Sequence, residues 1–331
     1  MKNLLQRDEN GGCLMKHIFI YNPVAGRDNR QAIALLQEKM HDYDGSIDYE
    51  FYPTKSAGDA TAYVRQRCEQ GGDEPLRFYA CGGDGTANEV LHGIVGFDHA
   101  SMTCYPCGSG NDFVKYYGGA ARFLDIDALL NGSETPIDIM RVGDRYALNV
   151  TNFGFDTAVV RTMEKVRHKP IIGGKNCYTT GIVTALFNAM KNKCTVFADG
   201  EQINDGKCLL CTVACGTYVG GSFRCAPRSK NDDGLLEVCL VKPISRLTLV
   251  KLIGVYSEGT HLDDPRFKDI VTYRQAKSVR VTAPQGFSYC LDGELVYEND
   301  FTIEVCPAAI RFVVPATQAD PQNIKKEPAT V

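Results

Sequence analysis

Leu76-Arg77-Phe78-Tyr79-Ala80-Cys81-Gly82-Gly83-Asp84-Gly85-Thr86-Ala87-Asn88 is the stretch that decides the architecture of this chain. Its apolar first half, Leu76–Cys81, reads as a buried strand, and glycines follow where a strand would turn into a helix. Without Cβ atoms, Gly82, Gly83 and Gly85 let backbone N–H groups approach a phosphate. The N-terminus of the following helix adds about half a positive charge there. Asp84 places a carboxylate inside that anion site, where it repels a phosphate unless a cation mediates. Glycines and carboxylate together point to Mg2+-nucleotide chemistry; taken alone, the stretch also reads as a plain strand-to-helix turn.

Working outward, strands alternate with helices. Ile18–Asn22, Ile47–Tyr52, Leu76–Cys81 and Ser101–Tyr105 have strand character, and Ile33, Leu36, Met40 and Tyr43 recur at helical spacing. Alternation of this kind predicts parallel pairing and a doubly wound sheet, with ligands at the carboxyl ends of the strands. Three turns fall at those ends: Asn22–Gly26, Gly82–Thr86 and Gly108–Asp112. Beyond about residue 140 the pattern changes. Tyr146–Phe155, Cys194–Ala198, Leu209–Ala214, Leu235–Val241, Ser278–Thr282 and Phe287–Leu291 read as strands, several separated by Asp-Gly turns. Helical patterns remain at Asp156–Val166, Tyr178–Met190 and Leu247–Ser257, so this half is expected to be a β-sandwich with peripheral helices.

A length of 331 residues favours two domains. The net charge of −4 argues against a nucleic-acid partner. No run of 18 apolar residues is present to span a bilayer, and Met1–Lys16 lacks a signal-peptide core, so a cytoplasmic chain is expected. Residues 1–15 read as an extension and 318–331 as a disordered polar tail. Fourteen cysteines without a secretory signal imply reduced thiols. Cys104/Cys107 has redox spacing, although buried, apolar behaviour is the plainer reading. Cys208/Cys211 lies on a strand, where such spacing points the pair to opposite faces.

Asn22-Pro23-Val24-Ala25-Gly26, Gly82–Val90 and Pro106-Cys107-Gly108-Ser109-Gly110-Asn111-Asp112-Phe113 resemble the three signatures of the diacylglycerol kinase catalytic domain family. This family includes bacterial lipid kinases and is related to sphingosine and ceramide kinases. The likeness continues through Asn152–Asp156, Asp232–Leu236, Gly259-Thr260-His261 and Asp292-Gly293-Glu294, and spans about residues 16–315. It implies a Rossmann-like, phosphofructokinase-like α/β domain over 16–140, joined by a returning segment at about 301–317. A β-sandwich lipid-binding domain over 141–300 would complete the fold, with the active site in the cleft between them.

The same resemblance implies an ATP- and Mg2+-dependent kinase acting on a lipid hydroxyl, most simply diacylglycerol to phosphatidate. Sphingoid bases, phosphatidylglycerol or NAD as acceptors, and a non-catalytic nucleotide- or lipid-binding protein, remain alternatives. Asn22, Gly26, Arg27, Thr54, Gly82, Gly83, Gly85, Thr86, Ser109 and Asn111 fall where the family contacts nucleotide. Thr54 is equally readable as a helix N-cap. Ala25 and Ser109 stand where the family has Ser and Thr. Asp84, Asp112, Asp138 and Glu294 match a Mg2+ network. Asp233, with carbonyls of Lys230 and Leu235, matches a structural Mg2+ site, for which an unmetallated hairpin is the alternative. Asp292 matches the general base, with Asp84 as second choice and Glu294 two residues on; by itself Asp292-Gly293 reads as a hairpin turn. A basic run, Arg161, Lys165, Arg167, Lys169 and Lys175, suits ATP phosphates, an anionic membrane or plain solvent. Peripheral contact with the inner membrane surface is expected, and a homodimer is among the oligomeric states left open.

Overall fold

The computed structural model describes residues 15–24, 27–43, 45, 47–166, 169 and 177–317. The first half runs β1 (Lys16–Tyr21), α1 (Arg27–Met40), β2 (Asp48–Pro53), α2 (Asp59–Gln70), β3 (Leu76–Gly82), α3 (Asp84–Ile94), β4 (Ala100–Pro106), α4 (Ala120–Phe123), α5 (Ile126–Leu130) and β5 (Ser133–Val142). Its parallel strands lie in the order β4-β3-β1-β2. β3 and β4 are buried at every position, as a sheet covered on both faces requires. Phe19 stacks between Phe51 and Tyr79 at centroid distances of 4.8 and 4.3 Å and ties three of these strands together.

Register determines where the site forms. Tyr21 is level with Pro53 and with Cys81, and Cys81 is level with Tyr105. All four strands therefore end at one edge. From β1 the chain passes to β2 on one side and to β3 on the other, which opens a crevice between the carboxyl ends of β1 and β3.

The second half contains β6 (Arg145–Ala147), β7 (Val150–Gly154), α6 (Phe155–Val166), α7 (Cys177–Asn188), β8 (Asn192–Lys193), β9 (Thr195–Ala198), β10 (Glu201–Gln202), β11 (Lys207–Cys208), β12 (Leu210–Ala214), β13 (Leu236–Val241), α8 (Arg246–Glu258), β14 (Val271–Ala276), β15 (Ser278–Thr282), β16 (Ser288–Leu291), β17 (Glu294–Tyr297) and β18 (Asp300–Val314). An antiparallel sheet, β14-β13-β12-β7-β16-β17, packs against a second layer that includes β5, β9, β15 and β18. Met140, Phe153, Val196, Val213, Val238, Val279 and Ile303 fill the space between them. This is the α/β plus β-sandwich architecture expected from the alternating and then purely β pattern.

β18 joins the layers. Its first part pairs with β15, its last part runs parallel to β4, and β5 flanks both. A bulge between Cys306 and Ile310, with Ala308 at φ 48°, lets one strand change partners. The single strand read over Tyr146–Phe155 divides into β6 and β7, because the N–H groups of Leu148 and Asn149 turn toward the Asp292 carboxylate.

Candidate active site

The second and third glycine turns touch. A Cβ on Gly108 would lie 2.4 Å from Gly83 Cα and 2.9 Å from its nitrogen, so only two glycines allow this approach. The N–H groups of Cys107 and Gly108 both donate to Gly82 O, at 3.0 and 3.2 Å. Gly82 leaves room for Thr86, whose Oγ1 would be 2.3 Å from a Cβ there, while Gly85 faces open space. Ser109 is exposed, and Asn111, at φ 50°, donates through Nδ2 to Gly108 O at 2.7 Å. Asn22 ends β1 on the same edge, its Oδ1 accepting from Val24 N–H. Gly26 and the Arg27 side chain lie outside the described residues. Thr54 donates its N–H to Tyr21 O at 2.8 Å. It does not cap α2: that helix starts at Asp59, and Glu89 accepts from Gly58 and Ala60 N–H instead.

Two carboxylates line this cradle. Asp84 Oδ1 accepts from Asp112 N–H at 2.8 Å, and a side chain at Gly110 would meet Asp84 Oδ2 at 2.6 Å. Burial, and then the neighbouring Asp112 charge, push the Asp84 carboxyl above its ordinary range. Asp112 pairs with Lys115 and also accepts from Gly221 N–H at 3.0 Å. Lys115 further donates to Gly110 O and Gly221 O, at 2.9 and 2.8 Å. The third turn is thereby tied to the loop that follows β12. Asp84 and Asp112 fit a Mg2+ requirement of one or two carboxylates completed by waters and phosphates.

Asp138 does not join this pair. Its Oδ2 accepts from Gly234 N–H at 2.6 Å and its Oδ1 from Ala308 N–H at 2.8 Å, so it satisfies the β18 bulge and the 232–234 turn. The Asp233 turn is closed by its own hydrogen bond, Leu235 N–H to Asp233 Oδ1 at 3.1 Å, and Lys230 is exposed. Among the described residues no group of three or more His, Cys, Asp or Glu side chains is arranged to hold a metal. Asp138 thus lies apart from the Asp84–Asp112 pair, held by the backbone of the β18 bulge and of the 232–234 turn.

Asp292 reaches α3 from the other half. Leu291 pairs with Glu294, so Asp292 and Gly293, at φ 47° and 91°, form a two-residue hairpin turn. The segment is not extended: Asp292 turns inward, and Glu294 opens β17 on the exposed side. Asp292 Oδ1 accepts from Asn149 and Val150 N–H at 3.0 and 2.9 Å. Its Oδ2 accepts from Leu148 N–H at 2.7 Å and from Asn88 Nδ2 at 3.3 Å. Burial raises its carboxyl to about 6 despite the backbone donors, and the Asp84 charge adds to the rise. Asn88 also donates to Tyr146 O, and one turn on His92 Nε2 accepts from Tyr146 N–H. α3 therefore begins with Asp84 and one turn later holds Asp292 through Asn88. Asn88, His92, Lys115 and Asn149 were not among the expected site residues; for Asn88, its place in the Gly82–Val90 stretch was the available signal.

The model of the diacylglycerol kinase catalytic domain matches residues 16–142, and that of the YegS C-terminal NAD kinase beta sandwich-like domain matches residues 149–314. The chain belongs to the diacylglycerol kinase family. It is 26% identical over 279 residues to a diacylglycerol kinase of Bacillus subtilis, covering 83% of this chain and 88% of that one. It is 27% identical over 296 residues to a YegS-like lipid kinase of Chromohalobacter salexigens, covering 88% and 89%. The crystal structure of a diacylglycerol kinase from Bacillus anthracis superposes with a TM-score of 0.69 at 21% identity, over 93% of this chain and 98% of that one. Membership makes this a lipid kinase, with ATP as the co-substrate that kinase chemistry implies.

A lipid kinase needs an apolar recess, which the sequence places in a cleft between the domains. The second half holds an apolar cavity of about 100 Å³ beneath α6, α7 and α8, lined by Val159, Ile182, Leu209, Leu249, Leu252 and Ile253, among others. Its polar side chains are Asn152, Asp156 and Tyr256. Val219 and Gly220 form part of its wall, next to the Gly221 N–H that binds Asp112. His261 is buried beside Tyr256, the two rings tilted at a centroid distance of 4.5 Å, and burial lowers its pKa to about 4. Of the basic run, Arg167 and Lys175 lie outside the described residues. Among the described residues no helix is long and apolar enough to cross a membrane.

The Cys104/Cys107 pair lacks the acidity a redox thiol needs. Burial pushes Cys104 up strongly and Cys107 to about 11. Cys107→Ser is expected to change kinase turnover less than about twofold, a surface-like effect, measured with radiolabelled ATP; a large loss would restore a role for the thiol.

Proposed function

We propose that this lipid kinase transfers the γ-phosphoryl group of ATP to the free hydroxyl of diacylglycerol, giving phosphatidate and ADP. The observation that carries the reading is the backbone contact of Gly83 with Gly108 one helical turn from Asn88, which donates to the half-buried Asp292 carboxylate. The N–H groups of the two turns that are not already given to Gly82 O or Asp84, together with the α3 N-terminus, receive phosphate oxygens. Asn22, Thr54, Thr86 and Ser109, on the same sheet edge, supply polar contacts. Asp84 and Asp112 hold Mg2+, which when bound neutralises phosphate charge. Asp138, Asp233 and Glu294 have no part in this assignment.

The lipid hydroxyl approaches Asp292 at the position of its longest hydrogen bond, that of Asn88 at 3.3 Å; Asn88 keeps its bond to Tyr146 O. Asp292 takes the hydroxyl proton, the lipid oxygen bonds to the γ-phosphorus, and the bridging P–O bond breaks with its electron pair leaving on ADP. Acyl chain enters the cavity walled by α6, α7 and α8. Asn152 Oδ1, buried and without a partner among the described residues, and Asp156 at its polar end suit the glycerol backbone.

The test is transfer of label from γ-labelled ATP to a panel of diacylglycerol, sphingosine, phosphatidylglycerol and NAD. Labelled phosphatidate as the main product is expected; label on NAD alone, or on no acceptor, contradicts the reading.

Asp156 gives a second measurable consequence. Burial raises its carboxyl to about 6, so the folded state holds the proton more tightly than the unfolded chain. Stability from this group is therefore present at low pH and is lost as pH rises from about 4 to about 6. Asp156→Asn has no such proton to lose. It is expected to melt higher than wild type at about pH 8 and to converge on it near about pH 4. Equal melting shifts at both pH values would contradict the assigned burial.

A further inference from the structure

We propose that the outer faces of α7 and α8 dock this kinase on an anionic bilayer surface and feed the cavity beneath them. Both helices are apolar on two sides. Ile182 of α7 and Leu249, Leu252 and Ile253 of α8 face the cavity, whereas Val183, Phe187, Leu247 and Val250 are between 49% and 77% exposed. A contiguous patch of exposed apolar side chains is ordinarily covered. The exposed set forms one patch, because the start of α8 meets the end of α7. Arg246 donates to Leu186 O and Phe187 O at 2.6 and 3.1 Å, and its guanidinium lies 5.5 Å from the Phe187 ring centroid.

Charge identifies the occupant. Residues 177–193 contain no acid, and Glu258 is the one acid in 242–258. Lys191, Lys193, Lys242, Arg246 and Lys251 are all exposed there, in a chain whose net charge is −4. Exposed apolar side chains on segments that carry these cations match the boundary between acyl chains and anionic headgroups. A second protein surface of the same chain would bring these cations against each other. The patch lies directly over the cavity, since neighbouring residues of each helix, Ile182 and Val183 or Leu249 and Val250, take the cavity side and the exposed side in turn. Docking on this face would set the recess one helix layer from the acyl chains of the bilayer. The proposal rests on the reading of that cavity as the acyl site.

Vesicle sedimentation with the full chain tests it, using phosphatidylcholine alone and phosphatidylcholine mixed with phosphatidylglycerol. Wild type is expected to sediment with the anionic vesicles and to be released by salt. The Phe187→Glu/Leu247→Glu variant should partition at least tenfold more weakly, while phosphorylating a water-soluble short-chain diacylglycerol at the wild-type rate. The Lys191→Glu/Lys251→Glu variant should lose preference for anionic over neutral vesicles, a readout that remains if the first variant folds poorly. Wild-type sedimentation by both variants, no binding of wild type to anionic vesicles, or a wild-type dimer that the first variant dissociates, would overturn the docking face. Anionic-vesicle binding lost in the variants, with no lipid phosphorylated by wild type, would keep the docking face and discard the kinase assignment of the acceptor.

Discussion

Asp292→Asn is expected to lower turnover by about 10²–10⁴-fold, the range of a lost general base, with ATP affinity retained. The substitution removes the proton acceptor while keeping the side-chain shape. It also sets an NH2 group against existing donors. Turned one way, that group faces Asn149 and Val150 N–H; turned the other, it faces Leu148 N–H and the Asn88 amide. Buried donors left unpaired cost about 1–3 kcal/mol each, so a lower melting temperature is expected as well. Turnover per folded molecule, ATP binding by calorimetry and thermal melting separate these effects. Near-normal turnover with a reduced melting temperature would make Asp292 a structural anchor of the Leu148–Val150 turn and nothing more.

Gly108→Ala is the second large effect. The added methyl group would fall 2.4 Å from Gly83 Cα and 2.9 Å from its nitrogen, both backbone atoms, so moving the Asn111 side chain, 3.0 Å away, would not relieve the clash. The two turns must separate, at a cost of about 1–3 kcal/mol typical of overpacking. The amides of both turns then no longer address one phosphate chain. ATP affinity is expected to fall at least tenfold. By contrast Gly85→Ala, at a site with open space around it, should cost little stability and act only through the nucleotide. If Gly108→Ala binds ATP like wild type, the two turns do not share a ligand.

The parallel half of the fold was legible because its signals are local. Apolar runs such as Leu76–Cys81 end in glycines, and strand ends with that composition announce an anion site. The antiparallel half was legible as a class, through runs such as Leu209–Ala214 and their Asp-Gly turns. β14, Val271–Ala276, escaped notice because it lies at a sheet edge and none of its first five residues is fully buried. The change of partners along β18 depends on a bulge that Asp138 stabilises from 170 residues away. No local pattern encodes such a contact, and this is why the backbone partners of Asp138 could not be foreseen from its neighbours in sequence. Asn88 and Asp292 are 204 residues apart, and Lys115 and Gly221 are 106 apart, so the seam of the site is likewise a product of tertiary packing. Asp292-Gly293 proved to be the hairpin turn its composition suggests and also the carrier of the buried carboxylate; neither reading excluded the other.

Backbone amide exchange with each ligand added separately tests the site most directly. ATP with Mg2+ should slow exchange in peptides covering Gly82–Thr86 and Gly108–Asp112 together, and a short-chain diacylglycerol should slow it in α8, around Leu249–Tyr256. Protection by ATP at one glycine turn without the other, or by the lipid nowhere along the cavity wall, would contradict a single cradle for phosphate set against a separate recess for acyl chain.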